Sequence, residues 1–338
     1  MAAPTIVVID DESQIRDYLE EVLSLDGYEC RCFQEGLSAL AYMSQNPPDL
    51  VMTDIRMPGM NGLELLKQVH SQAPTVPVIL ISGLYELAIA LEAVRGGAAD
   101  FLLKPAKPAE VLSLVAKHLH HGSGAAPEAL QAALADFITR FRQGSADAGP
   151  LFQLLGFKRY ETMQHSLRVA AYAVRFGQAC GLERAQMLDL ELGALLHDVG
   201  KIAIPSNVLM KPGPLDEREW EIMRSHPRIG YQLLADLPGM EDAAQIVYSH
   251  HERYDGAGYP RGLRGEEIPL GARLFSIVDT VDAITCDRPY RAAQPFSVAC
   301  RELGQNRGSQ FDPGLVETFL QVPEQDLVTI RTRLPDSE

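Results

Sequence analysis

The chain has 338 residues, 46% of them hydrophobic, and a formal net charge of −15, enough length for two domains that each bury a core. An acidic balance with no Lys/Arg-rich run excludes a nucleic-acid surface, so no DNA partner is expected. No apolar run approaches the roughly 18 residues of a membrane span, and strand-like "TIVVID" at Thr5 leaves no room for a leader peptide, so no membrane partner and a cytoplasmic location are expected.

From Thr5 to about Leu119, the apolar runs "TIVVID", "ECRCF", "DLVMTD", "VPVILIS" and "DFLLK" alternate with segments of helical period, each bounded by Gly, Pro, Asn or Ser. Five βα units follow. Continuous apolar strands imply a doubly wound α/β domain with a five-stranded parallel sheet covered on both faces, and ligands then bind beyond the strands' carboxyl ends. The five cysteines are odd in number and form no zinc-type pair. They read as reduced structural thiols, with Cys30 and Cys32 on one face of a strand.

The predicted carboxyl ends carry Asp10 and Asp11, then Asp54, Ser82 and Lys104. Three carboxylates at one sheet edge repel one another unless a hard cation such as Mg²⁺ takes oxygen ligands from them. "VVIDDE", "MTDIRMPGMNG", "LIS" and "FLLKP" resemble, in order and spacing, the receiver domain of two-component response regulators, a flavodoxin-like fold. The resemblance implies that Asp54 is the phospho-acceptor for a cognate sensor histidine kinase. It further implies that Asp10 and Asp11 help hold Mg²⁺, that Lys104 contacts the phosphoryl group, that Ser82 and Phe101 form the switch pair, and that the Lys104–Pro105 bond is cis.

The first domain is placed at residues 1–121. A helix ending in "KHLHH" closes it, and its His118, His120 and His121 are read as complements to the helix dipole. Residues 122–149 form a linker, opened by "GSGAAP" and containing an amphipathic helix with Leu130, Leu134, Phe137, Ile138 and Phe141 on one stripe. That helix either couples the two halves or only packs on the second.

From 150 to 338 the pattern is helical throughout, which predicts an all-α bundle; a tail after Arg331 is expected to be disordered. Five histidines occur beyond the linker, His165, His197, His226, His250 and His251, each beside an apolar helical run. A buried imidazole without a partner is costly, so the set points to shared use rather than to five satisfied core histidines. His197 and Asp198 end an apolar helix, and Asp279 sits among apolar neighbours. Glu161 and His165, four apart, share a helix face. Nitrogen and carboxylate donors without thiolate disfavour structural zinc and suit manganese, iron or catalytic zinc, with Asp198 able to bridge two ions. In "HHERYDGAGYP", His250 and His251 end a helix that "DGAGYP" stops, so both can reach one cation.

"HDVGK", "HHERYDGAGYP" and "DTVDAITCDRPYR" resemble, over about residues 150 to 325, the HD-GYP branch of the HD phosphohydrolases. The resemblance makes His165, His197, Asp198, His226, His250, His251 and Asp279 ligands of two divalent ions, iron or manganese, with Glu161 available for a third. By the same resemblance Lys201 is the catalytic lysine, with Asp198 at the reacting centre. Arg288 and Arg291 hold substrate phosphate, and Gly258, Tyr259 and Pro260 form the signature turn. The activity implied is hydrolysis of cyclic di-GMP to pGpG or GMP, tuned by phosphorylation. Alternatives are a non-catalytic module that binds a cyclic dinucleotide or a protein, and hydrolysis of a different nucleotide. Diguanylate cyclases of the GGDEF type and a second copy of the chain are further candidate partners.

Overall fold

A computed structural model describes residues 3–121, 127–155, 163–287 and 292–335. The chain packs as two compact units, one made of Met1–Leu134 and Ala203–Met223, the other of Ala135–Ile202 and Arg224–Glu338.

In the first unit, strands β1 (Thr5–Ile9), β2 (Glu29–Phe33), β3 (Leu50–Asp54), β4 (Val78–Ser82) and β5 (Asp100–Leu103) alternate with helices α1 (Ser13–Leu25), α2 (Gly36–Met43), α3 (Gly62–Gln72), α4 (Leu87–Arg95) and α5 (Pro108–His121). The sheet is parallel with order β2-β1-β3-β4-β5. Its side chains alternate with period two. Val7, Ile9, Val51 and Leu80 pack with Ala39, Met43, Leu65 and Val69 on one face. Ile6, Val8, Met52 and Ile79 pack with Leu19, Leu23, Val111 and Val115 on the other. Both faces being covered explains the apolar runs that stood for strands in the sequence.

Asn61 starts α3 with a capping box, its side chain accepting from Leu63 and Glu64 while Glu64 returns to the Asn61 N–H. Gly62 is required there, because a Cβ would lie 2.3 Å from the Asp54 carbonyl oxygen. The Lys104–Pro105 bond is cis, as expected.

Two features of this unit differ from expectation. His118 is buried, with its Nε2 3.1 Å from the Asp100 carboxylate, so it serves an internal carboxylate and not only the helix end. Residues Ala203–Met223, expected in the second domain, pack here and contain α10 (Ser206–Leu209) and α11 (Glu217–Met223). Ser206 donates to Asp100 at 2.7 Å, and the Asn207 amide brackets Leu103, accepting from its N–H and donating to its carbonyl.

Helix α6 (Pro127–Arg142) buries Leu130, Leu134, Phe137 and Ile138, while Phe141 is only half-buried. The second unit takes up its last turns and then α7 (Gly149–Leu155), α8 (Met163–Ala179) and α9 (Arg184–Leu196), followed by a 3₁₀ turn at Val199–Ala203. Next come α12 (His226–Leu234), α13 (Glu241–Ser249), α14 (Leu270–Thr285), α15 (Phe296–Gln305), α16 (Pro313–Phe319) and α17 (Glu324–Arg333). Helices α8, α9, α13 and α14 pack on one another as the core, with α12 against α13 and α17 against α8.

Within "DEREWEIMRSH" the first helix, α11, ends at Met223, and α12 opens at His226. Pro227 explains the break, because proline fits only the first turn, where no N–H partner is needed. Helix α17 continues to Arg333, into the tail expected to be disordered, and residues 336–338 lie outside the described set.

Candidate functional site

Three helix ends and two helix faces of the second unit bring seven chemistry-bearing side chains together. His197 caps the C-terminus of α9 and Asp198 follows it, His226 opens α12, and His250 caps α13 with His251 next. His165 lies in the first turn of α8 and Asp279 on α14. Helix ends bare of their own hydrogen-bond partners suit this task, since the chain can turn and aim consecutive side chains inward.

Two donor sets result. Asp198, His226, His250 and His251 form one, and His165, His197 and Asp279 the other; within each set the donor atoms lie within 4.8 Å of one another. Asp198 touches both. Its Oδ2 is 2.7 Å from His197 Nε2, while its Oδ1 is 3.1 Å from His226 Nε2 and 3.8 Å from His250 Nε2.

Tautomers follow from the main chain. His197 Nδ1 lies 2.8 Å from the Ala194 carbonyl, and His250 Nδ1 lies 2.7 Å from that of Val247. A carbonyl only accepts, so both rings carry a proton on Nδ1 and turn Nε2 inward. His226 and His250 then approach Nε2 to Nε2 at 3.2 Å. Burial, reinforced by neighbouring imidazoles, pushes His250 and His251 well below the ordinary histidine pKa. Inward-facing imidazole nitrogens beside carboxylates fit a divalent cation in each set.

The surroundings add a cation and a ring. Lys201 donates to Asp198 Oδ2 at 2.9 Å. Tyr259 stacks on His251 with centroids 4.7 Å apart, and the Arg224 guanidinium lies 5.6 Å from the Tyr259 ring centre. Burial, with the Asp198 charge adding, pushes the Tyr259 hydroxyl up to about 12, so it stays a neutral donor near pH 7.

The turn that carries Tyr259 is held by Glu252, whose buried carboxylate accepts from the N–H groups of Arg261 and Leu263. A Cβ on Gly258 would fall 2.3 Å from the Arg253 nitrogen, so this position admits only glycine without movement. The Tyr259–Pro260 bond is cis. Glu161, Arg288 and Arg291 lie outside the described residues.

Sequence reasoning missed a second layer. Asp282, one turn beyond Asp279 on α14, accepts from His165 Nδ1 at 2.7 Å and from Arg168 at both oxygens. Burial alone would raise the Asp282 carboxyl, but the hydrogen bonds from His165 and Arg168 outweigh it and hold it at about 2. The available signal was the spacing, since Asp279 and Asp282 fall on one side of an apolar helix that should tolerate neither without partners.

In the first unit the expected constellation assembles at the carboxyl edge of the sheet. Lys104 Nζ is 2.7 Å from Asp10 Oδ2, 2.7 Å from Asp54 Oδ1 and 3.6 Å from Glu12. Burial raises the Asp54 carboxyl despite Lys104, and the paired carboxylates raise Lys104 against its own burial. Ser82 donates to the Leu84 carbonyl, and Phe101 is buried with Tyr85 edge-on at 6.2 Å. Asp11 is half-buried beside Asp10.

Comparison with known proteins finds two domains in this order. A family model described as a response regulator receiver domain matches residues 6–116, and one described as an HD domain matches residues 151–315. The cyclic di-GMP phosphodiesterase response regulator RpfG of Xanthomonas campestris is 34% identical, over 94% of this chain and 87% of that protein. A cyclic di-GMP phosphodiesterase of Thermotoga maritima is 29% identical, over 99% of this chain and 94% of that protein. A 3'3'-cGAMP-specific phosphodiesterase of Vibrio cholerae is 38% identical, over 52% of this chain and 34% of that protein. A sheet edge that gathers Asp10, Asp54 and Lys104, followed by helices that gather the His/Asp cluster, places the chain in the family of response regulators that join a receiver domain to an HD domain.

Proposed function

We propose that the chain is a response regulator whose output is metal-dependent hydrolysis of cyclic di-GMP, tuned by phosphorylation of Asp54 from a sensor histidine kinase. The observation that carries this reading is the pair of adjacent donor sets spanned by Asp198. Full-length relatives named as cyclic di-GMP phosphodiesterases supply the substrate class. Two divalent ions, iron or manganese by donor type, would when bound supply Lewis acidity toward a phosphoryl oxygen and acidify water.

The chain's own residues do the rest. His165, His197 and Asp279 would hold one ion, His226, His250 and His251 the other, with Asp198 between them, and Glu161 is assigned to a third. Lys201, tethered to Asp198, offers an ammonium where negative charge grows on phosphorus. Tyr259 presents a protonated hydroxyl close to the same region. Arg288 and Arg291 are assigned to substrate phosphate, for which their forked donors are suited.

At the receiver edge, Lys104 already bridges Asp10 and Asp54. Phosphorylation of Asp54 would add negative charge there, drawing on Lys104, with Mg²⁺ held by Asp10 and Asp11 and the change sensed by Ser82 and Phe101. Diguanylate cyclases are candidate partners for the turn at Gly258, Tyr259 and Pro260, and a second copy of the chain is a separate candidate partner.

A panel of cyclic di-GMP, 3'3'-cGAMP and linear dinucleotides, compared by kcat/KM on manganese-loaded protein, tests the substrate. Cyclic di-GMP is expected to lead. A clear preference for 3'3'-cGAMP would reassign the substrate and leave the centre in place.

A further inference from the structure

In the His/Asp cluster, His165, His197 and His250 have a defined Nδ1 partner and are not held alike. His197 and His250 donate to main-chain carbonyls, which no substitution can remove. His165 donates to a side chain, the carboxylate of Asp282, at 2.7 Å. Because a carboxylate only accepts, that bond puts the His165 proton on Nδ1 and leaves Nε2 with its lone pair, 3.6 Å from Asp279 Oδ1.

Asp282 is itself clamped. Arg168, one turn after His165 on α8, donates through Nε to Oδ1 at 2.5 Å and through Nη2 to Oδ2 at 3.0 Å. Its Nη1 reaches the Leu334 carbonyl at 3.1 Å, just past α17. Cys286, one turn beyond Asp282, adds a thiol contact to Oδ1 at 3.4 Å. Both Asp282 and Arg168 are about as buried as any side chain in the unit, at 1% and 2% exposure. A forked guanidinium fixes the plane of the carboxylate, and the carboxylate then fixes the ring.

We propose that Asp282 and Arg168 are positioning residues that set the tautomer and orientation of His165, and that they govern ion binding in the His165, His197 and Asp279 set without serving the other set. The proposal rests on reading the two sets as a metal centre.

Asp282→Asn in the full chain tests it while keeping the side chain's shape. Asp282 accepts from Arg168 at both oxygens, so an amide NH₂ faces an Arg168 donor whichever way it turns, and the clamp that aims His165 is broken. The His165 ring then loses the anionic partner that fixes its tautomer and orientation, and Nε2 is no longer held as a ligand atom. Metal-free protein titrated with Mn²⁺, with ions counted per chain after dialysis, should show wild type taking up one ion per donor set. The variant should keep one ion at wild-type affinity and bind the other about 10- to 100-fold more weakly. In a His165→Ala background, Asp282→Asn should cause no further loss.

A folded Asp282→Asn that loads both ions like wild type overturns the proposal while leaving the metal centre intact. A wild type that takes up no Mn²⁺ removes the metal-centre reading and the proposal together. Should Asp282→Asn not fold, ¹⁵N NMR of imidazole-labelled, metal-free wild type decides, with the His165 signal identified by its absence in His165→Ala. An Nδ1–H tautomer supports the proposal, and an Nε2–H tautomer overturns it.

Discussion

A single proton position on each imidazole decides whether these side chains can hold a cation. The helix carbonyls of Ala194 and Val247 fix it for His197 and His250. At the same scale Lys201 is distinguished from an ordinary surface lysine by its bond to Asp198. Lys201→Ala is expected to lower kcat by about 10²- to 10³-fold with metal content unchanged. An unaltered kcat would remove Lys201 from the chemistry.

His70, in α3, gives a pH prediction away from any ligand set. Burial lowers its pKa from 6.5, although its Nδ1 faces the Gly96 carbonyl. The unfolded chain therefore takes up the proton first as pH falls. The stability His70 contributes is present above pH 6.5 and is lost below it, by at most about 1.4 kcal/mol per pH unit. Urea unfolding of His70→Gln, followed from pH 7.5 to 5.5, should show a shallower loss than wild type, and an identical slope would contradict the assignment.

The residues legible in the sequence were those whose neighbours were telling, such as "HDVGK" and "HHERYDGAGYP". The pairing of Asp282 with Arg168 was not legible, because the two lie on different helices, 114 positions apart in sequence. The spacing of Asp279 and Asp282 on an apolar helix marks Asp282 as needing a partner but does not say which.

Among elements, close backbone approach holds the cluster in register. Gly200, in the 3₁₀ turn after Asp198, lies so near α12 that a Cβ would fall 2.0 Å from the His226 carbonyl oxygen and 2.6 Å from the Gly230 nitrogen. Both neighbours are main chain and cannot yield. Gly200→Ala is expected to destabilise the unit by more than about 2 kcal/mol and to weaken metal uptake, because His226 would move away from Asp198. Thermal unfolding with metal counting checks this, and a variant of wild-type stability would show that α12 can shift freely.

The strands and most helices were visible as hydrophobic period, since that period is what burial on one or two faces imposes. The break before His226 depended on Pro227, and the pairing of His118 with Asp100 on a contact between α5 and β5. Neither is encoded in the periodicity of one segment.

At the scale of the whole molecule, the order of the parts was legible and the packing of Ala203–Met223 was not. Nothing in "SNVLMKPGPLDEREW" states that Asn207 will bracket Leu103, one residue before Lys104. Asp54→Asn should leave basal hydrolysis unchanged and abolish any response to a small-molecule phosphodonor. A response that persists in this variant would contradict regulation through Asp54.

The central claim is that the two donor sets, when loaded, hydrolyse a cyclic dinucleotide. The most direct test is product analysis. Protein purified without oxygen, loaded separately with manganese or iron, is incubated with cyclic di-GMP beside a His197→Ala, Asp198→Ala control, and the products are resolved by chromatography. The account predicts metal-dependent appearance of pGpG or GMP in the wild type and none in the control. Intact uptake of metal with no product from any cyclic dinucleotide would contradict it and favour a binding module.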